Sequence, residues 1–267
     1  MRDTIRFIRR GRIVERGDVG PNEMLLDYLR EVEGATGTKE GCGEGDCGAC
    51  TVALGRIREG KLVYEPINAC IQLLGQVDGC EVVAVEDLAD ADGALHPVQE
   101  AMHEQHGSQC GFCTPGFVMS IFALYHSGEQ PVDRKRVNDW IAGNLCRCTG
   151  YRPIADAAIA ACANPARDRF AAAMKDTAKL LEFITDSEDV FIGDSDRFFA
   201  APATIEALAE LYEQHPDATI VAGATDVGLW ITKQLRDLPK VIHTGRVRGF
   251  RHIGDTGYEL LIGAGAT

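Results

Sequence analysis

The chain has 267 residues and an ordinary apolar fraction of 45%, enough to bury a sizeable core in one to three domains. Its formal net charge of −13, from 27 basic and 40 acidic residues, argues against nucleic acid and against an anionic membrane surface as partners. Ten cysteines follow an N-terminus, Met1 to Arg6, that lacks an apolar export segment, and no run of about 18 apolar residues suggests a membrane span. The thiols therefore read as metal ligands of a cytoplasmic protein rather than as disulfides.

In chain order, residues 4–17 predict a β-hairpin: Ile5 and Phe7 alternate with polar residues, Gly11 marks the turn, and Ile13 and Val14 return. Pro21-Asn22-Glu23 is expected to open a helix whose apolar face is Met24, Leu25, Tyr28, Leu29 and Val32, ending over Gly34 to Gly37. Next comes Cys42-Gly43-Glu44-Gly45-Asp46-Cys47-Gly48-Ala49-Cys50, with Cys70 following after nineteen further residues. C-x4-C-x2-C followed by a distant cysteine is the plant-type ferredoxin spacing for a [2Fe–2S] cluster. The glycines permit a tight wrap whose amides can point at sulfur. Zinc is the alternative, although it usually takes two C-x2-C knuckles. Strands are expected over Thr51–Leu54 and Lys61–Tyr64, around a turn at 55–60, and again over Glu81–Val85. Residues 1–86 thus read as an α+β module of ferredoxin size.

From residue 87 the apolar period changes to that of helices. His96-Pro97 and Thr114-Pro115 each begin one, with Thr114 as the expected N-cap and Pro115 at the first helical position. A third is expected over Arg134–Leu145, and an Ala-rich fourth over Tyr151–Ala163. Residues 87–163 read as a four-helix domain. Cys110-Gly111-Phe112-Cys113 and Cys146-Arg147-Cys148 lie at helix termini, where four thiolates can cage iron or structural zinc. Cys80 and Cys162 are expected to be buried and inert, and His96, His103, His106 and His126 to be exposed or structural.

Three stretches, Lys39 to Thr51, Gln109-Cys110-Gly111-Phe112-Cys113-Thr114-Pro115-Gly116 and Asn144-Leu145-Cys146-Arg147-Cys148-Thr149-Gly150-Tyr151, occur in that order. They resemble the two-cluster segment of the molybdenum hydroxylases. The resemblance implies a β-grasp ferredoxin domain binding one [2Fe–2S] cluster through Cys42, Cys47, Cys50 and Cys70. A helical domain would bind a second through Cys110, Cys113, Cys146 and Cys148. It also implies that the second cluster lies nearer the molybdopterin, with Gln109 and Cys148 contacting the pterin.

Residues 164–197 read as a linker, begun by Asn164-Pro165, with room for a short helix over 168–184. Beyond it, Thr204 should cap an amphipathic helix. Thr219-Ile220-Val221-Ala222-Gly223-Ala224-Thr225-Asp226-Val227 is a strand, a turn and a helix start, a general anion-receiving arrangement that is equally a plain structural turn. It is not G-x-G-x-x-G. Together with Ala201-Pro202-Ala203-Thr204 it is similar to the start of the FAD domain of xanthine dehydrogenase and its relatives. There the corresponding segment wraps the FAD pyrophosphate, and an asparagine is common where Ala224 stands. Residues 198–267 are therefore expected to begin an α+β FAD-binding domain of the vanillyl-alcohol-oxidase/CO-dehydrogenase flavoprotein type, and Leu261 to Thr267 read as the middle of a strand and turn.

Clusters and a flavin-type segment without a molybdenum domain resemble the small subunit of the xanthine dehydrogenase branch. The resemblance implies no catalytic residue on this chain and a large molybdopterin-binding partner in a heterotetramer of two small and two large subunits. Electrons would pass through both clusters and FAD to NAD+. Other substrates of the family, aldehydes and N-heterocycles, stay open, as do a non-redox zinc-stapled adaptor and a free two-cluster ferredoxin.

Overall fold

The computed structural model of the chain describes residues 1–163, 165 and 168–266. β1 (Ile5–Arg9) and β2 (Arg12–Arg16) form the expected hairpin, turned by Arg10 and Gly11 at positive φ and registered with Phe7 opposite Val14. With β3 (Thr51–Arg58), β4 (Lys61–Asn68) and β5 (Glu81–Val83) they make a five-stranded sheet in the order β2-β1-β5-β3-β4. Only the central β1–β5 pair is parallel.

Both faces of this sheet are buried, so alternate residues of one strand serve different cores. Phe7, Val52, Leu54 and Val82 face one core, and Ile8, Ala53 and Val83 the other. The first core holds α1 (Leu25–Asp27), where Tyr28 meets Phe7 edge-on at 5.7 Å. This helix starts later than expected, because Met24 is extended and bridges Leu73. It then widens into a π-helical turn over Tyr28–Val32, closed by Glu33 N–H donating to Tyr28 C=O. The wider turn rotates Val32 off the apolar stripe, leaving it 61% exposed instead of buried.

β3 and β4 run further than expected, past Gly55 to a turn at Glu59-Gly60. β4 is an edge strand, so it tolerates Pro66 opposite Ala53. β5 stops short of Val85 because the Asp87 carboxylate accepts the Ala84 N–H at 2.7 Å and pairs with Arg9 and Arg10.

Beyond it lie α2 (Pro97–Glu104), α3 (Thr114–His126), α4 (Arg134–Trp140) and α5 (Arg152–Ala163). Cys113, not Thr114, occupies the cap of α3, and the Thr114 hydroxyl is engaged with Ser108 at 2.7 Å. α4 ends five residues before the expected Leu145, because Asn144 and Leu145 bond the cluster loop of the first module instead of continuing the helix. Of the expected helix end at Asn164-Pro165, Asn164 lies outside the described residues.

α6 (Arg169–Ile184) packs along β1, β3 and β4 within the second core. Its cap, Asp168, accepts the Ala171 N–H at 2.7 Å and also meets His96 Nε2 at 2.6 Å and His126 Nε2 at 2.9 Å. All three side chains are buried. His96 Nδ1 already accepts the Val98 N–H, so its proton sits on Nε2 and is donated to Asp168. These two histidines are structural, and His103 and His106 are exposed.

A four-stranded sheet follows, in the order β6-β7-β9-β8, from β6 (Val190–Gly193), β7 (Phe198–Ala201), β8 (Thr219–Val221) and β9 (Lys240–His243). β7, β9 and β8 are parallel, connected through α7 (Ile205–Gln214) and α8 (Val227–Thr232). Thr204 caps α7 as expected, accepting the Ala207 N–H at 3.1 Å. Phe199, Val221 and Val241 join the first core beneath the ferredoxin-like sheet. A hairpin of β10 (Ile253–Asp255) and β11 (Leu260–Ile262) comes last, and only β11 overlaps Leu261–Thr267, expected to be a strand and turn; Thr267 is outside the described residues.

Candidate functional site

The first cysteine loop is shaped by glycines held where a side chain has no room. Gly43, Gly45 and Gly48 have φ of 64°, 83° and 67°. A Cβ on Gly45 would stand 2.5 Å from Ile71, one on Gly41 would stand 2.8 Å from Cys47 Sγ, and one on Gly48 would strike the Gly143 carbonyl. The wrap turns its amides inward: Cys42 Sγ accepts N–H groups from Glu44 and Cys47, both at 3.4 Å. Burial opposes ionisation of Cys42, yet the Cys47 and Glu44 amides outweigh it and hold the thiol below its ordinary range. Cys47 goes the other way, raised by burial. Cys50 is lowered by its hydrogen bond with Cys70, and Cys70 is raised by that same contact and then by burial. Cys70 also feels the charge of Cys42, which links the Cys50–Cys70 pair to the Cys42–Cys47 pair around the loop.

The second set sits between the start of α3 and the turn after α4. Cys113 is pushed up to about 12 by burial and then by Cys146. For Cys146 burial is outweighed by the Thr149 hydroxyl and amide, at 3.2 and 3.5 Å from Sγ, so its pKa falls. Cys148 is raised by its bond to Cys110. These four also come together, but Cys110 and Cys148 are exposed where Cys50 and Cys70 are buried. Around them Phe112 and Leu145, about half exposed, and the exposed Gln109 form an outward face. Tyr151, at φ 68°, turns its hydroxyl back to accept the Cys146 N–H at 3.0 Å.

Backbone contacts join the two sets directly. Leu145 N–H donates to the Cys47 carbonyl at 2.9 Å, and Asn144 Nδ2 donates to the Gly48 carbonyl at 2.9 Å. Ser120 on α3 holds the Asn144 amide at 2.6 Å, and Gly116 has no side chain because Gly48 C=O fills that space. On its other side the first loop meets α8 and its end, and the turn before α8 meets Gln76. Lys233 Nζ donates to the Cys42 carbonyl, Gln76 Nε2 donates to Ala222 C=O at 3.1 Å, and Gly228 packs against the Ile71 carbonyl. The first set thus bonds the second set through Leu145 and Asn144 and the end of α8 through Lys233.

The turn itself follows β8 and leads into α8. Among the described residues the N–H groups of Gly223, Thr225 and Asp226 have no intramolecular acceptor and are open to solvent. Ala224 adopts φ 72°, a conformation that suits asparagine or glycine and strains alanine.

Both thiol nests fit iron–sulfur clusters on the chemistry of their donors: four thiols each, with amide or hydroxyl donors aimed at sulfur. Lys233 was invisible in the sequence, being 191 residues from its partner. Asn144 and Tyr151 lay inside a quoted motif, but nothing local marked their bonds. Of the two remaining cysteines, Cys162 is buried, its thiol raised to about 11 by burial. Cys80 is buried but is not plain packing, since Arg56 Nε donates to its sulfur at 3.2 Å.

Among known families, residues 14–72 match a 2Fe-2S iron-sulfur cluster binding domain and residues 84–159 a [2Fe-2S] binding domain. Residues 195–267 match the FAD binding domain in molybdopterin dehydrogenase. Xanthine dehydrogenase of Oryza sativa subsp. japonica is 53% identical over 135 residues, covering 50% of this chain and 10% of the relative. Aldehyde oxidase 1 of Oryctolagus cuniculus is 34% identical over 303 residues, covering 97% and 23%. The chain thus spans between a tenth and a quarter of these relatives. Among solved structures, a chain of quinoline 2-oxidoreductase from Pseudomonas putida 86 is 33% identical with a TM-score of 0.50, covering 67% of this chain and 96% of that one. Among the described residues no helix is long and apolar enough to cross a membrane.

Proposed function

This chain belongs to the molybdenum hydroxylase family, and we propose that it serves there as the electron-carrying subunit of a cytoplasmic xanthine dehydrogenase. In this reading residues 1–86 and 87–163 are the two cluster domains, 164–197 connects them onward, and 198–267 begins the FAD-binding domain. Cys42, Cys47, Cys50 and Cys70 hold one [2Fe–2S] cluster; Cys110, Cys113, Cys146 and Cys148 hold the other. When bound, such clusters accept and release single electrons.

The protein's own work is electrostatic and positional. Amides of Glu44 and Cys47 stabilise negative charge on Cys42 sulfur, and Thr149 does the same for Cys146. Asn144 and Leu145 fix the separation of the two nests. Gln109 and Cys148, both exposed, face outward to meet the pterin of a large partner subunit, in an assembly of two small and two large chains. The turn 219–227 receives the FAD pyrophosphate on its free amides, and NAD+ is the final acceptor.

One observation supports this reading: the exposed nest bonds the buried nest through Leu145 to Cys47, and the buried nest bonds the end of α8, the helix that follows the 219–227 segment, through Lys233 to Cys42. Aldehyde or N-heterocycle oxidation is the second reading, favoured by the rabbit aldehyde oxidase and the quinoline 2-oxidoreductase among the similar proteins. Purifying the native complex and adding xanthine, an aldehyde or quinoline under anaerobic conditions separates them. Xanthine is expected to bleach the visible spectrum. Bleaching by an aldehyde or quinoline alone overturns the substrate and leaves the relay standing.

A further inference from the structure

Away from the relay, a cleft of about 250 Å³ opens where three parts of the chain meet. Arg56 and Arg58 reach it from β3, Asp78 and Cys80 from the approach to β5, Asp186 from the segment after α6, and Arg246, Arg248 and Arg251 from the segment after β9. The molecule is acidic overall, with a net charge of −13, yet this cleft concentrates guanidinium groups.

The carboxylates there are already spoken for. Asp78 is paired with Arg2 at 2.9 Å and with Arg246, and Asp186 with Arg2 and Arg246, both at 2.8 Å. Glu65 serves Arg56 at 3.4 Å and Arg58 at 3.1 Å. Among the described residues Arg248 and Arg251 have no carboxylate within 4.0 Å. Arg251 is instead pulled down by partial burial and by the like charges of Arg56 and Arg58. The His243 side chain at the cleft floor is buried and lowered to about 4 by that burial and then by Arg251, Arg56 and Arg246, so it is neutral at pH 7 and the charge of the cleft is that of its arginines and carboxylates. Gly245 keeps the floor open: a Cβ there would strike the His243 ring and stand 3.4 Å from Arg251 Nη2.

Surplus guanidinium groups converging on a concave site match the planar, bidentate recognition of oxyanions. The cleft is smaller than the roughly 300 Å³ lower bound for drug-sized ligands, which suits a small anion rather than a whole dinucleotide. We propose that this arginine cleft binds a phosphate-bearing small molecule, with Arg248 and Arg251 as its principal donors. The cleft is lined by none of the eight nest thiols and by no residue of 219–227, although His243 and Gln76 in its wall contact Val221 and Ala222.

Titration calorimetry on the full chain in low-salt, phosphate-free buffer tests it, with ribose 5-phosphate, inorganic phosphate and, as the neutral control, ribose. Saturable binding of one phosphate compound per chain is expected, with none for ribose. A tighter fit for ribose 5-phosphate identifies a phosphate ester as the ligand; equal affinity identifies free phosphate. Both arginines are exposed, so Arg248→Gln and Arg251→Gln should leave the melting temperature unchanged while each weakens binding about tenfold, the loss of one charge-assisted contact. No saturable binding by either phosphate compound overturns the proposal, as does unchanged affinity in both variants. Tight binding of a polyglutamate peptide with no phosphate binding overturns it in favour of a protein partner.

Discussion

The two thiol nests contain the same donors and solve opposite problems. The first is enclosed, with Cys50 and Cys70 buried, Gly45 pressed on Ile71, Lys233 on one flank and Leu145 on the other. The second meets the first through Asn144 and Leu145, and leaves Cys110, Cys148 and Gln109 exposed. Identical thiols are thus enclosed in one place and open to solvent in the other. The difference lies in what the backbone packs against, not in the cysteines.

The sharpest way to break the comparison is to remove a ligand from one nest. Cys50→Ser should abolish one of two paramagnetic signals after dithionite and halve the iron, leaving the second signal intact. Because Cys50 is 1% exposed within the first core, this variant is also expected to lose stability, whereas Cys148→Ser, at an exposed position, should lose its signal with little change in melting temperature. Next in size is the joint. Gly48→Ala forces a Cβ against Gly143 and Asn144 at a positive φ. It should cost about 1–3 kcal/mol of stability in denaturant unfolding and shift the spectra of both clusters, since both nests share that contact.

A third test loosens only the second nest from afar. α3 carries Cys113 at its cap and His126 at its last turn, where Asp168 binds His126 and His96. Burial works against the Asp168 carboxylate but His126, His96 and the Ala171 amide overcome it, holding its pKa well below the ordinary value of 3.8. A carboxylate depressed on folding stabilises above its unfolded pKa, and that contribution disappears as pH falls through the folded one. Asp168→Asn should therefore destabilise by about 1.5–3 kcal/mol at pH 7, with the gap to wild type closing below pH 3.8, as urea unfolding across pH would read. The smallest effect concerns the far flank of the first nest. Ala224→Gly relieves a left-handed alanine and should raise stability by up to about 1 kcal/mol if strain relief exceeds the added chain entropy.

Much of this was legible because it is local. The hairpin at Gly11, the Pro97 start of α2, the Thr204 cap and the cysteine spacings are each set within a few residues. What was not legible depends on distant partners. α4 was expected to reach Leu145, but Leu145 gives its N–H to Cys47, nearly a hundred residues earlier. Val32 was placed on an apolar face that a single π-helical turn rotates away. His96, His126 and Asp168 meet only once the cap of α6 is brought to the start of α2 and the end of α3. The departure of Ala224 from asparagine gave no sign of backbone strain, which its φ of 72° shows.

The central claim is that eight thiols in two nests hold two [2Fe–2S] clusters in contact range of one another. Anaerobic purification, metal and acid-labile sulfide analysis, and electron paramagnetic resonance of the dithionite-reduced protein test it together. The account predicts four iron and four sulfide per chain and two distinguishable signals that broaden one another. A colourless protein containing zinc, silent after reduction, would contradict it.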